Sequence, residues 1–541
     1  MYILINIQYS IKGEKMIKKI KIRNYKIFES FEIDANIHKN IIVGENGVGK
    51  STLLEAISLV LSGSKSMVDK IGYHSMFNVN TIHNFFTNEK NIENLPEIHI
   101  ELYLEDSSEP INEPLCGKNN LLNIESSGLS MRVVPDLDLY SKEIKEILSL
   151  DENIFPYEFY KLQFKTFSDT SFDSYSKRHK FRYEFIDSTK INSKVGLKKF
   201  VSNLFSQHAT TEKKNKIRFK YRQQLDSFSE QLYEEFDLNT NDSYRIQASV
   251  EGNNHFDELI TASKNKITID QEGHGEQLLL GIESSMNFSD DKIKILLIEE
   301  PENHLSFINM LKLISLLQST NQQLFISTHS NMIASRLELK NLHILSRDNS
   351  TNIQKISNAA ARFFQKSPNT NLLDFILSKK AILVEGTAEY ILLNKFYESQ
   401  FNQSPEDNDI SIISVNGLNF SHYLELACIL EIDTLIITDN DRDYNQNIIE
   451  KYNKYCDIET ISIKSDKDNN NFTFEACLYN FNKERFDESF KNSSMKNGLL
   501  RYMLDNKVEF AMRLLEKMEN DNYQIEIPNY IREGMEWLRK R

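Results

Sequence analysis

At 541 residues the chain exceeds what one hydrophobic core comfortably serves, so two or three domains are expected. Charged residues make up 26% and hydrophobic residues 40%, the balance of an ordinary soluble protein rather than a disordered one. The net charge of −14 argues against nonspecific coating of DNA, but local basic patches and bound metals reverse the sign where contact is made. No apolar run reaches the length of a membrane span, so no membrane partner is expected. Cys116, Cys428, Cys456 and Cys477 form no C-x-x-C pair, which disfavours a disulfide frame or zinc site and fits a reducing cytoplasm.

Residues 1–15 read as an extension of little consequence, because a second Met at position 16 precedes a better domain start. Alternating apolar positions over 17–28 predict an edge hairpin with Phe31-Glu32-Ile33. Strand Asn40–Val43 then leads into Gly44-Glu45-Asn46-Gly47-Val48-Gly49-Lys50-Ser51 and an apolar helix running to Leu61. Strand, glycine loop and helix together form a phosphate-binding loop, whose amides wrap the phosphates at the helix N-terminus. Gly44, Asn46, Gly47, Gly49, Lys50, Ser51 and Thr52 are the candidate ATP-binding residues, with Lys50 on the β- and γ-phosphates and Ser51 on magnesium.

The region from about 62 to 270 mixes strand and helix patterns. Ile98–Leu104 alternates like a half-buried strand, and 195–235 has helical spacing. The basic run Glu212–Arg222 reads either as a nucleic-acid patch or as a solvated helix face. The apolar strand Ile293–Ile298 ends in Glu299-Glu300-Pro301. Glu299 is expected in the outer coordination sphere of the magnesium, and Glu300 as the residue that polarises the attacking water. Strand Gln323–Thr328 ends in His329, placed to sense the γ-phosphate.

The order Lys50, Glu300, His329 resembles the ABC-type ATPase heads of recombination and chromosome-maintenance proteins. In that setting Gly273-His274-Gly275-Glu276-Gln277 corresponds to the signature loop that acts on a partner's ATP, although no Ser precedes its glycines; a helix-entry turn is the alternative. The resemblance implies a dimer, in keeping with the two-fold assemblies common among soluble chains. Asn24-Tyr25-Lys26 resembles the element that packs on the nucleotide base in such heads.

A polar stretch, Arg347–Asn352, closes this half, and a helical bridge is expected over 355–379. A second β/α block follows over 381–480, then a mostly helical tail over 481–541, which Pro528 breaks. In this block strand Ala381–Val384 ends in Glu385-Gly386, with Glu389 one helical turn on. Strand Thr434–Thr438 ends in Asp439-Asn440-Asp441. Clustered carboxylates stay ionised together only around a cation, so the pattern predicts Mg²⁺ or Mn²⁺. Two ions about 4 Å apart would activate a water and stabilise a departing 3′-oxygen. Asp443 is a spare ligand or a solvated loop acid, Asp468–Asn471 a loop, and Gly417 a turn that keeps the backbone clear of the metals.

This half resembles the Toprim fold of topoisomerases, bacterial primases and OLD-family nucleases, on Glu385-Gly386 followed by Asp439 and Asp441. The resemblance implies Glu385, Glu389, Asp439, Asp441 and Glu475 as metal ligands and Lys507 as the active-site lysine. The catalytic set is then Glu385, Asp439, Asp441 and Lys507, with Glu300 serving ATP hydrolysis.

An ABC-type head followed by a Toprim domain is the architecture of the OLD family, the Gabija nuclease subunits among them. The expected fold is α/β. It comprises an ATPase domain over 1–354 with an insertion at about 62–270 and dimerisation helices near 190–240, a bridge over 355–380, and a Toprim domain with a helical tail over 381–541. The implied function is ATP-regulated, two-metal endonuclease cleavage of DNA in anti-phage defence, by a homodimer or tetramer. A helicase or other defence protein encoded nearby is a candidate partner. The alternatives are a non-catalytic DNA-repair clamp and a topoisomerase-like strand-breaking enzyme.

Overall fold

The computed structural model describes residues 16–88, 90–105, 114–150, 153–174, 183–188, 201, 205, 210–235, 260–264, 266–287, 295–347, 349–367, 370–417, 420–490, 498–520 and 523–541. The expected extension over 1–15 and much of the expected dimerisation region (190–200, 202–204, 206–209 and 236–240) lie outside the described residues. The chain is α/β and divides into two compact units. The first takes in 1–42, 46–328 and 345–350; the second takes in 43–45, 329–344 and 351–541. Among the described residues no helix is long and apolar enough to cross a membrane.

In the first unit, strands β1 (Ile17–Tyr25), β2 (Phe28–Asp34), β4 (Ile98–Leu104), β5 (Cys116–Gly117) and β6 (Ser126–Pro135) form an antiparallel sheet. Its order is β2-β1-β4-β6-β5, and β7 (Tyr160–Thr166) also pairs with β6. β1 is therefore internal, not an edge strand: Ile20 faces Ile33 of β2, and Ile22 faces Ile100 of β4. Only β2 is the edge of that pair. β4 departs from half-buried alternation and is buried almost throughout, because β1 and β6 flank it. Its Glu101 is fully buried yet satisfied, accepting hydrogen bonds from Tyr103 Oη at 2.8 Å and the Leu121 N–H at 2.9 Å.

The second sheet of this unit is parallel. β3 (Lys39–Val43), β12 (Gln323–Ser327), β11 (Ile295–Glu299) and β8 (Tyr183–Asp187) lie side by side in that order. Their register sets Glu299 level with Ser327 and Asp187. β3 and β11 are buried at every position, as expected of a parallel sheet covered on both faces. Helix Lys50–Ser62 contributes Leu53, Leu54, Ile57 and Val60 to the core these sheets share. A short hairpin, β9 (Ser263–Lys264) and β10 (Ile267–Thr268), precedes helix His274–Asn287. Helix Thr211–Glu235 carries the basic run.

The second unit includes β13 (Leu342–Leu345, save its last residue) and part of β14 (Ser350–Asn352), then helices Asn358–Lys366 and Leu372–Ile376. These two helices occupy the stretch expected as a helical bridge. Ser367 precedes Pro368, and a residue before proline is pushed out of the helical region. Four parallel strands follow, β15 (Lys380–Val384), β16 (Ile410–Ser414), β17 (Asp433–Ile437) and β18 (Ile461–Lys464), ordered β16-β15-β17-β18. Val384 pairs with both Ser414 and Ile437, so Glu385 and Thr438 leave the sheet at the same carboxyl edge. Open parallel sheets hold their ligands at that edge. The tail supplies helices Lys483–Ser489, Leu499–Asp505, Lys507–Asn520 and Asn529–Arg539, the last capped by Pro528.

Helix Asn529–Arg539 approaches the sheet closely through Gly534. A Cβ there would stand 2.9 Å from Leu435 Cδ1 and 3.2 Å from Lys464 Cγ. Gly534→Val should therefore lose about 1–3 kcal/mol through overpacking, read from urea denaturation. A midpoint at or above the parent's would show that Leu435 and Lys464 yield without cost.

Candidate functional site

Two polar centres emerge, one in each half of the sequence. In the second unit, Glu385 directly follows β15, and its Oε1 accepts the Thr438 hydroxyl and the Asp439 N–H, the latter at 3.3 Å. Gly386 caps helix Thr387–Phe401, whose first turn buries Glu389. Asp439 Oδ1 accepts the Phe474 N–H at 2.7 Å, where helix Phe474–Phe481 begins. The next residue of that helix, Glu475, is 2% exposed. Its Oε2 pairs with Lys507 Nζ at 2.9 Å, at the start of helix Lys507–Asn520. Strand ends and helix starts thus bring Glu385, Glu389, Asp439, Glu475 and Lys507 together. Gly417 turns with φ 72°, and its N–H donates to the Glu385 carbonyl at 2.7 Å.

The charges show the strain of that grouping. Burial, with the Glu475 and Glu385 charges, pushes Glu389 up to about 7 against the pull of its own backbone hydrogen bond and of Lys507. Burial and the Glu385, Glu389 and Glu475 charges raise Asp439 well above the usual carboxylate range. Burial alone would lower Lys507, but its hydrogen bond to Glu475 and the neighbouring acids outweigh it, and the ammonium is held above its ordinary value.

Oxygen donors, surplus negative charge and an orphaned oxygen fit a hard divalent cation. Glu475 Oε1 is buried and receives no hydrogen bond, and Oε2 has only the Lys507 ion pair. Among the described residues no group of three or more His, Cys, Asp or Glu side chains stands ready as a finished metal cage. Glu385, Glu389, Asp439 and Glu475 are the residues that would hold the ion.

Asp441 stands apart. It is exposed, with φ 48° and its N–H on the Phe472 carbonyl at 3.1 Å. Asp443 is also exposed, and its Oδ1 accepts the Gln446 N–H at 3.0 Å, a local capping contact. Asn440, between the two acids of the motif, is completely buried. Its Nδ2 donates to the carbonyls of Asp466 (2.9 Å), Asp468 (3.0 Å) and Asn471 (3.3 Å). Its Oδ1 accepts the Arg442 N–H at 2.9 Å. Neither Asn440 nor Thr438 was legible as a site residue, because their partners lie in distant segments.

In the first unit, Gly47 and Gly49 adopt φ 78° and 106°, the left-handed region that favours glycine. Gly49 is doubly constrained, since a Cβ would fall 2.5 Å from Phe28 Cζ. Lys50 is buried at the helix start; burial lowers its ammonium, and the Glu300, Glu302 and Glu299 charges oppose that. Ser51 and Thr52 follow in the first turn, and Asn46 is exposed in the loop before it. Glu299 ends β11, buried, its carbonyl accepting the Ser188 hydroxyl at 2.8 Å. Glu300 takes φ 43°, donates its N–H to the Ser327 carbonyl at 2.9 Å, and accepts Asn303 Nδ2 at 2.9 Å. Glu302, which the sequence reading passed over, accepts the Thr328 hydroxyl at 2.9 Å. Gly44 and His329 continue the chain just beyond β3 and β12.

His274 opens helix His274–Asn287, and the segment lies against the loop after Glu300: a Cβ on Gly275 would meet the His304 carbonyl at 2.7 Å. Tyr25 points inward, its hydroxyl donating to Glu55 Oε2 at 2.9 Å, and Lys26 pairs with the same carboxylate. The Asn24-Tyr25-Lys26 turn is thereby fastened to the helix that follows the glycine loop.

The carboxylate cluster makes stability depend on pH. Without metal, Glu389 titrates near 7 when folded and near its ordinary 4.5 when unfolded. The folded chain holds the extra proton between those values, so stability falls as pH rises through that window. Thermal melts in chelator from about pH 5 to about pH 8 should show this decline, and Glu389→Gln should lessen it, leaving the part that raised Asp439 contributes. A slope unaffected by that substitution would remove Glu389 as its source.

Comparison with known proteins bears on both centres. A family model described as Overcoming lysogenization defect protein-like, TOPRIM domain, matches residues 376–441. An AAA ATPase domain model matches 16–224, and an AAA domain model described as a putative AbiEii toxin of a Type IV TA system matches 122–335. The chain is 21% identical to Endonuclease GajA of Bacillus cereus (strain HuB5-5), over 93% of each chain. An SMC head solved with the C-winged helix domain of ScpA covers 63% of this chain and 100% of its own, at 16% identity and a TM-score of 0.35. The C-terminal region of the Burkholderia pseudomallei OLD protein covers 30% of this chain and 98% of its own, at 21% identity and a TM-score of 0.21. One polypeptide thus carries an AAA ATPase domain and an OLD-like TOPRIM domain.

Proposed function

We propose that this protein is an ATP-regulated, divalent-metal-dependent endonuclease that cuts DNA by a two-metal mechanism. The observation that carries the reading is the group of buried Glu389 and Glu475 with half-buried Glu385 and Asp439, which faces the Lys507 ammonium. Such a group is costly in a merely structural role and suits a site completed by Mg²⁺ or Mn²⁺. The near full-length similarity to a protein named as an endonuclease supports the same reaction class. A bound metal pair would supply water activation and stabilise the leaving 3′-oxygen.

In this reading Glu385, Glu389, Asp439 and Glu475 bind and orient the metals, and exposed Asp441 serves at the rim nearest DNA. Lys507 offsets charge on the scissile phosphate. In the ATPase part, Gly44–Thr52 hold the phosphates, Ser51 and Glu299 the magnesium, Glu300 the attacking water, and His329 the γ-phosphate. The ATPase part spans 1–354, the bridge 355–380 and the nuclease part 381–541. The enzyme works as a homodimer or tetramer in the cytoplasm, where its four unpaired cysteines stay reduced. A role in anti-phage defence, alongside a protein encoded nearby, follows from the OLD-family resemblance.

Incubation with supercoiled and linear DNA, with Mg²⁺ or Mn²⁺ and with or without ATP, tests the central claim. The parent should cut only with metal, and Asp439→Ala should lose at least about 100-fold in rate while melting like the parent. Cleavage by Asp439→Ala at the parental rate would sink the assignment.

The ATP site separates binding from turnover. Lys50→Ala should weaken nucleotide binding in a titration. Glu300→Gln should bind ATP as the parent does but hydrolyse it at least about 100-fold more slowly. Equal loss of binding in both variants would contradict these roles.

A further inference from the structure

We infer that the cavity beside the free edge of β16 is a nucleobase pocket, which takes one unstacked base of the nucleic acid next to the bond being cut. The inference rests on the nuclease reading above and names the part of the substrate that site reads.

The cavity has a volume of about 310 Å³ and is lined by Asn371, Asp374, Thr387, Tyr390, Ser411 and Asn416, among others. Its lining residues are chain neighbours of the carboxylate cluster. Thr387 and Tyr390 belong to the first turn of the helix that buries Glu389. Asn416 precedes Gly417, whose N–H is bonded to the Glu385 carbonyl at 2.7 Å. A nucleotide whose phosphate lay at the carboxylates would have this cavity within reach of its base.

The lining selects a base over a phosphate. Among the described residues no Lys or Arg contributes to it, and Asp374 adds a carboxylate, so an anion would be repelled. Amide, hydroxyl and carboxylate groups offer both donors and acceptors to a base edge. Tyr390 provides the flat face. It is 43% exposed, whereas Tyr397, Tyr423 and Tyr452 of the same unit are within the core. An exposed aromatic beside a reactive centre is the kind of platform on which unpaired bases stack, with little regard to sequence. Occupation requires that the base leave its duplex partner, which is least costly at single-stranded, frayed or mismatched positions. The site should therefore favour a cut beside an unpaired base.

An abasic scan tests this with the full-length protein. Single abasic residues are walked through a labelled DNA oligonucleotide around its mapped cut, with Mg²⁺, against the parent, Tyr390→Ala and Tyr390→Phe. For the parent, one position beside the cut should slow cleavage about 10-fold when its base is removed. Tyr390→Ala should cut intact DNA about 10-fold more slowly and show no added penalty at that abasic position, while Tyr390→Phe behaves like the parent. If Tyr390→Ala keeps the full abasic penalty, or if no position matters to the parent, the pocket is refuted and the nuclease reading stands. If the parent cuts no oligonucleotide under any metal, the nuclease reading fails and this inference fails with it. Nucleotide binding at the ATP site should be unchanged in Tyr390→Ala, which separates a lost stack from a lost fold.

Discussion

Carboxylates crowded at the carboxyl edge of a small parallel sheet are the constraint around which the second unit is built. Parallel pairing of β15 with β17 makes Glu385 and Thr438 leave the sheet side by side, with Asp439 next in the chain. The helix starts at Thr387 and Phe474 then carry Glu389 and Glu475 into the same volume. Like charges at such range cannot all ionise in a poorly solvated site. The protein's own remedies are partial: a threonine hydroxyl and one amide for Glu385, one amide for Asp439, one ammonium for Glu475. What they leave uncompensated is negative charge that a cation would offset. Any ligand that prefers the folded chain stabilises it.

The first unit has the same logic with a different balance. One buried ammonium, Lys50, faces Glu299, Glu300 and Glu302. Here the acids help keep the lysine charged despite burial, and the phosphates of a nucleotide with its magnesium would redistribute both. The backbone is committed in advance. Gly49 is locked by its contact with Phe28, and Glu300 is held in the left-handed region by the Ser327 carbonyl and the Asn303 side chain. A non-glycine residue kept in such a conformation by several contacts at once is typical of sites where geometry is fixed ahead of chemistry.

Both centres were largely legible in the sequence, since apolar strands ending in Glu385, Asp439 and Glu299 are local patterns. Glu389 was legible from spacing, as one helical turn from a strand-end acid. Glu475 and Lys507 were not: nothing local links them, and only resemblance to a family pointed to either. Their 2.9 Å pair depends on helix Lys507–Asn520 packing near helix Thr387–Phe401, a tertiary fact. Alternation placed β1 but could not say that both its edges are covered. Nor could it foresee that Glu101 is buried, since its partners Tyr103, Leu121 and Arg132 come from three segments. Helical spacing marked the bridge region but not the division into helices Asn358–Lys366 and Leu372–Ile376.

Asn440 shows how much of a site can lie outside its acids. Asp441 and Arg442 follow it with φ 48° and 70°, two successive left-handed residues without glycine. That conformation costs roughly 1–2 kcal/mol per residue, so something nearby must hold it. Asn440 is well suited to do so. One face of its amide gathers the carbonyls of the 466–471 loop, and the other accepts the Arg442 N–H. The Arg442 guanidinium then lies 4.3 Å over the Phe472 ring, and the Phe472 carbonyl accepts the Asp441 N–H. Aspartate at 440 would set a carboxylate against the carbonyls of the 466–471 loop, and alanine would remove the donor that these carbonyls share. An uncharged side chain with both a donor and an acceptor meets both demands. The motif's middle residue thus fixes the strained turn that separates an inward acid, Asp439, from an outward one, Asp441.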